Sequence, residues 1–449
     1  MKLDVQVRGK TVAQLYRERD DYVMKYLPGT AETDFVSITM PVRSEPWKWP
    51  RDLHPFFRQN LPEGYLLNIV REDFGRFLDG TDLSLLALVG GTGIGRVTVT
   101  PEGVTPGADL APLQIEQLLT TEISPARFAT LVRQYARAAI SGAVPKFIAP
   151  DASAASDQLL GKSTFRTSRH IVKGSDDQTP FLGFNEFYSM RVLERLNVAA
   201  VANTRMSADG RVLIVDRFDV DDKGMPAYGL EDACSLLGLP PHEKYATSTE
   251  ATVKATRAYL PPATTRAQLD QLGWHLLANY VVRNADCHAK NIALLYDQRS
   301  NVTYTPAYDI VTTQAYPRFA DNSPALSIEG RKTWAPGKSL QQFYKARLGI
   351  SPRDYSAMVE RLCESAVEVG HEIIEAAKNE SRWRDIAKQM LHAWNDGMAS
   401  LRSIKMADKY KGLSADIEAA GFSDPAPPER PRAIGRSELL ARRKSRKST

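Results

Sequence analysis

The stretch Asn284-Ala285-Asp286-Cys287-His288-Ala289-Lys290-Asn291, followed by Tyr308-Asp309-Ile310, constrains this chain more than any other. Between the two lies Ile292–Tyr296, a short apolar run, then the polar turn composition of residues 297–301, then the β-branched and aromatic Val302–Thr305. That succession predicts a β-hairpin. Facing residues of an antiparallel pair have a constant index sum, about 600 for a turn centred near Ser300, and Asn291 and Asp309 satisfy it. Two oxygen-bearing side chains are thus expected at the open end of one ribbon, five residues after a third oxygen donor, Asp286. Hard oxygen donors converging in this way suit Mg²⁺, which takes one or two carboxylates together with nucleotide phosphates. Taken singly, each of these residues reads equally well as polar punctuation; the joint spacing carries the argument.

Composition bounds the rest. At 449 residues the chain has room for two or three domains, and 43% hydrophobic with 25% charged residues is ordinary for a water-soluble globular protein. No window approaches a membrane span. The N-terminal Met1–Val7 alternates like a strand and lacks a signal-peptide core. Cys234, Cys287 and Cys363 have neither disulfide nor zinc spacing, which fits a reducing cytoplasm. The seven histidines show no metal-ligand spacing. The net charge of +5 belongs to the tail: residues 430–449 carry eight Lys/Arg and one acid, which leaves the other 429 residues at −2.

In chain order, residues 1–105 read as a small α+β unit, with strands at Leu3–Val7, after Lys10, at Tyr22–Tyr26, Val36–Met40 and Arg96–Thr100. One helix opens at Phe56 and runs to about Arg71, and another covers Leu83–Val89. The Gly91–Val97 turn does not read as a nucleotide loop: no strand precedes it, and no Walker lysine or ribose-binding acid follows. Residues 106–130 form a connector. Ser141-Gly142-Ala143, with Lys146 beyond, is a better phosphate cover, because small residues let backbone N–H groups approach phosphate oxygens. Ser168–Lys173 predicts a strand ending in lysine, and the helix starting near Phe184 places Glu186 to pair with it. Asp216-Arg217-Phe218-Asp219 then reads as a hinge from a nucleotide lobe (131–220) to a mostly helical lobe (221–405). The Pro-rich, basic segment 421–449 is expected to be disordered alone. Within it Arg442, Arg443, Lys444, Arg446 and Lys447 offer contacts to DNA phosphates.

The five-residue spacing from Asp286 to Asn291 is that of the protein-kinase catalytic loop, and a strand lysine paired with a helix glutamate is a kinase part. In this order the motifs resemble the HipA family, serine/threonine-kinase toxins of type II toxin–antitoxin modules. The resemblance runs from Met1 to roughly Ser403. It is carried by Phe56-Phe57-x-x-Asn60-Leu61-Pro62, Ser141-Gly142-Ala143-x-x-Lys146, Ile171-x-Lys173, Asn185-Glu186, Asp216-Arg217-Phe218-Asp219, Lys244-Tyr245, Asn284-x-Asp286-x-His288-x-Lys290-Asn291 and Pro306-x-Tyr308-Asp309.

The resemblance implies a two-lobed, kinase-like α+β fold with an added N-terminal subdomain. It implies ATP and Mg²⁺ as reactants, Asp286 as base, and Asn291 and Asp309 on the metal. Ser141, Gly142, Ala143, Lys146, Lys173, Asp216, Phe218, His288 and Lys290 would bind ATP, with Glu186 in a structural ion pair. It also implies a protein substrate from the translation machinery, such as an aminoacyl-tRNA synthetase, whose phosphorylation arrests growth. The implied partner is a HipB-like helix-turn-helix antitoxin, which brings the complex to operator DNA. In one respect the sequence departs from the family: Ala139 stands two residues before Ser141, where members commonly carry a regulatory serine, so either Ser141 is the regulated hydroxyl, or the switch is absent, or the sequence is a mutant. Two alternatives share parts of the pattern. An aminoglycoside-type phosphotransferase has the same Asp-to-Asn spacing but neither the N-terminal unit nor, here, an evident acidic pocket. A non-catalytic corepressor would use the basic tail but leave the catalytic set unexplained.

Overall fold

Alternating apolar residues build the first layer. Leu3, Val5 and Val7 are buried on strand β1 (Lys2–Val7), and Val12, Ala13 and Leu15 on β2 (Lys10–Glu18). With β3 (Asp21–Tyr26), β4 (Trp47–Pro50) and β5 (Val97–Pro101) they form an antiparallel sheet in the order β4-β3-β2-β1-β5. The computed structural model describes residues 1–104, 115–141, 163–334, 337–401 and 412–422. The phosphate-cover residues Gly142, Ala143 and Lys146 and the basic tail lie outside the described residues.

Two expectations for this unit change. Val36–Met40 is not a strand but a tight turn with a single bridge, Ser37 to Met40. The Tyr26 hydroxyl holds it from inside, donating to the Met40 carbonyl at 2.5 Å and accepting from Val36 N at 2.9 Å. The helix from Phe56 to Arg71 is two pieces, Pro55–Arg58 and Gly64–Phe74. Pro62, which has no N–H to donate, sits in the break and fixes the chain extended there.

A second antiparallel sheet comprises β6 (Ser163–Arg166), β7 (His170–Gly174), β8 (Thr204–Met206) and β9 (Val212–Asp216), in the order β6-β7-β9-β8. The helix Pro125–Ser141 lies over it, with Phe128 so close to Gly174 that a Cβ there would meet the ring at 2.2 Å. The helix Leu182–Glu194 packs into the main core through Leu182, Phe184, Met190, Val192 and Leu193.

The remainder is mostly helical, as expected from residue 227 onward, around Thr265–Val281, Pro352–Asn379 and Arg384–Leu401. It also carries a three-stranded sheet of β10 (Gly229–Asp232), β11 (Ala293–Gln298) and β12 (Asn301–Tyr304), which supports the site. The β11–β12 hairpin pairs Leu294 with Tyr304 and Leu295 with Thr303, an index sum of 598, two fewer than expected from the sequence. A register shift between Tyr296 and Gln298 and a turn of only Arg299-Ser300 account for the difference. None of the described helices is long and apolar enough to cross a membrane.

The N-terminal unit docks against this ribbon. Arg96 is buried; it donates to the carbonyls of Asp297 (2.5 Å) and Phe35 (3.0 Å). The Gly91–Val97 turn is a docking element: Gly95 N donates to Asp219 Oδ2 at 2.7 Å with the glycine at φ 94°, a backbone that side-chain-bearing residues rarely adopt. Glu231, fully buried on β10, accepts from Ser37 Oγ at 2.8 Å and from the Tyr296 hydroxyl at 3.2 Å.

Candidate active site

The helix Thr265–Val281 delivers the chain into the loop 284–291. His275, Leu276, Leu277 and Val281 are buried, so the helix is anchored on all sides and its C-terminal end is fixed. Asn284 then ties the loop together. Its Oδ1 accepts from Asp286 N at 3.0 Å, and its Nδ2 donates to Asn279 Oδ1 (2.6 Å) and to the Asp309 carbonyl (3.0 Å). Asn291 closes the loop: its N donates to the His288 carbonyl at 2.9 Å and its Oδ1 accepts from His288 N at 3.0 Å. Asp309 sits beyond the hairpin with φ 58°, a left-handed conformation that a residue with a short polar side chain tolerates best.

These segments bring the expected residues together. Asn291 Nδ2 donates to Asp309 Oδ2 at 2.5 Å, although the ladder ends before them and its register does not pair them. Lys173 Nζ donates to Asp309 Oδ1 at 2.8 Å and also to Glu186 Oε1. Glu186 is fully buried and the Lys173 side chain is 12% exposed, so this is a desolvated ion-pair network rather than two surface charges. Asp286 and Asp309 line one cleft of about 820 Å³, together with His288, Tyr245, Lys244 and Glu63.

His288 packs edge-on against Tyr245, with ring centroids 5.1 Å apart, and its Nε2 lies 3.9 Å from Asp286 Oδ1. Burial pushes the Cys287 thiol up to about 12, so it stays protonated and serves as small filler. Burial likewise draws His275, beneath the site, down to about 4, and its imidazole is neutral.

Other expected residues are placed differently. Lys290 does not face the cleft; its Nζ reaches the Gln59 carbonyl at 3.4 Å and pairs with Glu63 of the N-terminal unit. The Asp216 side chain accepts from Asn203 Nδ2 at 2.6 Å and lies within 3.5 Å of His170, at the rim of the second sheet. The Phe218 ring lies 5.7 Å from that of Tyr308, whose hydroxyl donates to the Lys290 carbonyl at 2.7 Å. Ser141 is the last residue of the helix Pro125–Ser141.

Three contacts, made by two residues, escaped the sequence. The Tyr245 hydroxyl donates to Asp286 Oδ1 at 2.5 Å, and Glu63 contacts both Lys244 (3.3 Å) and Lys290. Burial raises the Glu63 carboxyl, but the two ammonium groups outweigh it and hold the group below the ordinary carboxylate range. Neither Tyr245 nor Glu63 shares a local spacing with the loop; only the Lys244-Tyr245 motif pointed nearby.

The donor set fits a magnesium nucleotide. Among the described residues no group of three or more His, Cys, Asp or Glu forms a protein-only metal centre. A cation held by Asn291 and Asp309 would therefore take the rest of its shell from phosphate oxygens and water, the usual habit of Mg²⁺. The Asn291 amide presents nitrogen to Asp309, so ligation through its Oδ1 requires the amide to turn away from His288.

Two lobes with an ion-paired lysine on one and a carboxylate–amide loop on the other define a phosphotransferase-like scaffold. Sequence comparison specifies it further: the HipA-like C-terminal domain matches residues 138–369 and the HipA N-terminal domain residues 3–100. The chain belongs to the HipA family. It is 29% identical over 308 residues to "Putative kinase Y4mE" of Sinorhizobium fredii, a match covering 65% of this chain and 71% of that one. It is 25% identical over 202 residues to a "Putative kinase" of Haemophilus influenzae, covering 40% and 57% respectively. The fold is that of HipA in the Shewanella oneidensis complex of HipA, HipB and operator DNA, with a TM-score of 0.62, 20% identity, and coverage of 91% of this chain and 98% of that one.

Proposed function

We propose that the protein is a serine/threonine-protein kinase toxin that transfers the ATP γ-phosphoryl group to a hydroxyl of a translation protein. The observation that carries this reading is that Asp286 and Asp309 line one cleft while Asn291 and the Glu186-paired Lys173 both hydrogen-bond to Asp309. ATP with Mg²⁺, when bound, supplies the phosphoryl group and neutralises its developing charge. Asp286 accepts the proton of the attacking hydroxyl as that oxygen bonds to phosphorus and ADP departs. The Tyr245 hydroxyl on Oδ1 orients the carboxylate. Lys173, released from Asp309 but held by Glu186, is placed for the α/β-phosphates. Asn291 and Asp309 supply the cation's protein oxygens. Phe218 and Tyr308 offer an aromatic wall to adenine near the Asp216–Asp219 hinge. Ser141 and the residues after it would cover the phosphates, with Ser141 the candidate site of autophosphorylation. The family relationship and the HipB–operator complex of the Shewanella relative support a helix-turn-helix antitoxin as partner and operator DNA as the target of that complex.

The test is transfer of labelled phosphate into a cell lysate. Wild-type protein labels a discrete translation protein, and Asp286→Ala and Asp309→Ala, folded by circular dichroism, label none. Undiminished transfer by both variants refutes the assigned roles.

A further inference from the structure

Lys290 belongs to the catalytic loop, yet it points out of the cleft. Its ammonium pairs with Glu63, which lies 227 residues earlier in the chain. The other oxygen of the same carboxylate accepts from Lys244 at 3.3 Å. Glu63 and Lys244 line the cleft beside Asp286 and Asp309; Lys290 does not. One acid from the N-terminal unit therefore engages two cations of the catalytic lobe at the wall of the cleft that holds Asp286 and Asp309. The segment leading to Glu63 is anchored to both units: Gln59 Nε2 donates to the Leu230 carbonyl of β10 at 2.9 Å and Asn60 Nδ2 to the Ile94 carbonyl at 3.0 Å, and Glu63 itself stands with extended backbone immediately before the helix Gly64–Phe74.

We propose that Glu63 is a positioning residue that competes with the nucleotide polyphosphate for Lys244 and Lys290, so that the N-terminal unit sets the nucleotide affinity of the catalytic lobe. The magnitudes allow the exchange. The Glu63 side chain is 39% exposed, and an ion pair at such a site is worth no more than a factor of about five. A polyphosphate carries several charges and accepts charge-assisted hydrogen bonds of roughly twice the neutral strength. Displacing Glu63 therefore costs little and exposes two ammonium groups to the ligand. This inference rests on reading the cleft as a nucleotide site.

The experiment is a calorimetric titration of the full-length protein with ADP and Mg²⁺. Glu63→Gln, nearly isosteric, is expected to bind ADP up to about tenfold more tightly than wild type, because two modest ion pairs no longer have to be broken. The gain disappears when Lys290→Gln is added, which a purely structural role for Glu63 would not produce. Glu63→Asp, whose shorter reach weakens its hold on both lysines, shows a smaller gain and decides the matter alone if Glu63→Gln fails to fold. Unchanged or weaker binding by the folded Glu63 variants overturns the proposal while leaving the nucleotide site standing. Absence of ADP binding by the wild-type protein overturns the nucleotide reading itself.

Discussion

The side-chain amide of Asn284 donates to the backbone carbonyl of Asp309 at 3.0 Å, while its oxygen accepts from the backbone N of Asp286. One buried side chain, 2% exposed, thus fixes the distance between the two carboxylates of the cleft. Asn284→Ala would leave the Asp286 N–H and the Asp309 carbonyl short of a partner, at a cost of about 1–3 kcal/mol in stability. A small misplacement of reacting groups costs far more in rate than in binding. Turnover is expected to fall at least about tenfold with ADP affinity nearly unchanged. Steady-state kinetics beside urea denaturation measures both; a stability loss with normal turnover would rule out the positioning role.

Glu186 provides a second test. It is fully buried against Lys173, so Glu186→Ala leaves a desolvated ammonium without its buried carboxylate partner. Breaking a buried pair from one side costs about 3–5 kcal/mol. The same change frees Lys173 to settle on Asp309, the expected metal carboxylate, and so weakens Mg²⁺-dependent nucleotide binding. A variant that unfolds within about 1 kcal/mol of wild type would show the network to be a surface-like pair.

The dock between the N-terminal unit and β10 has a pH signature. Burial pushes Glu231 up to about 7, against Ser37, Ile38 and Thr39 on one side and Tyr296 and Ser235 on the other, and pushes the adjacent Asp232 up to about 6. A carboxyl whose folded value lies above its unfolded value of 4.5 binds more protons when folded. Its stabilising contribution is complete below that unfolded value and is lost as pH rises through about 7. For Glu231 alone the change is on the order of 3 kcal/mol. Thermal melts are expected to show stability falling between pH 5 and 7.5, and Glu231→Gln to flatten most of that slope; Asp232 accounts for the remainder. A wild-type protein that gains stability over this range would contradict the assignment.

The local parts of the site were legible because loop chemistry has short-range spacing. Asp286, Asn291 and Asp309 could be read as one set, and Lys173 with Glu186 as strand and helix partners. The hairpin was legible as an element but not in its register: a turn of only Arg299-Ser300 and a one-residue shift beside Asp297 together lower the index sum by two, and Asn291 meets Asp309, whose backbone is left-handed, beyond the end of the ladder. The split helix after Pro55 and the turn at Val36–Met40 follow from the missing Pro62 N–H and from the Tyr26 hydroxyl, a proline effect that periodicity overrode and a contact across the fold. The contacts of Glu63 and Tyr245 were not legible, although Lys244-Tyr245 was read as a motif. Their partners lie 227 and 41 residues away, and only docking of the N-terminal unit and the fold of the catalytic lobe bring them into place.

The most direct test of the central claim is a titration with a non-hydrolysable ATP analogue, with and without Mg²⁺, on wild type, Asp286→Asn and Asp309→Asn. Three side-chain oxygens gathered around a magnesium nucleotide require wild type and Asp286→Asn to bind the analogue much more tightly with Mg²⁺ than without, and Asp309→Asn to lose that difference. Equal binding with and without Mg²⁺ in the wild-type protein, or a full magnesium effect in Asp309→Asn, would contradict it.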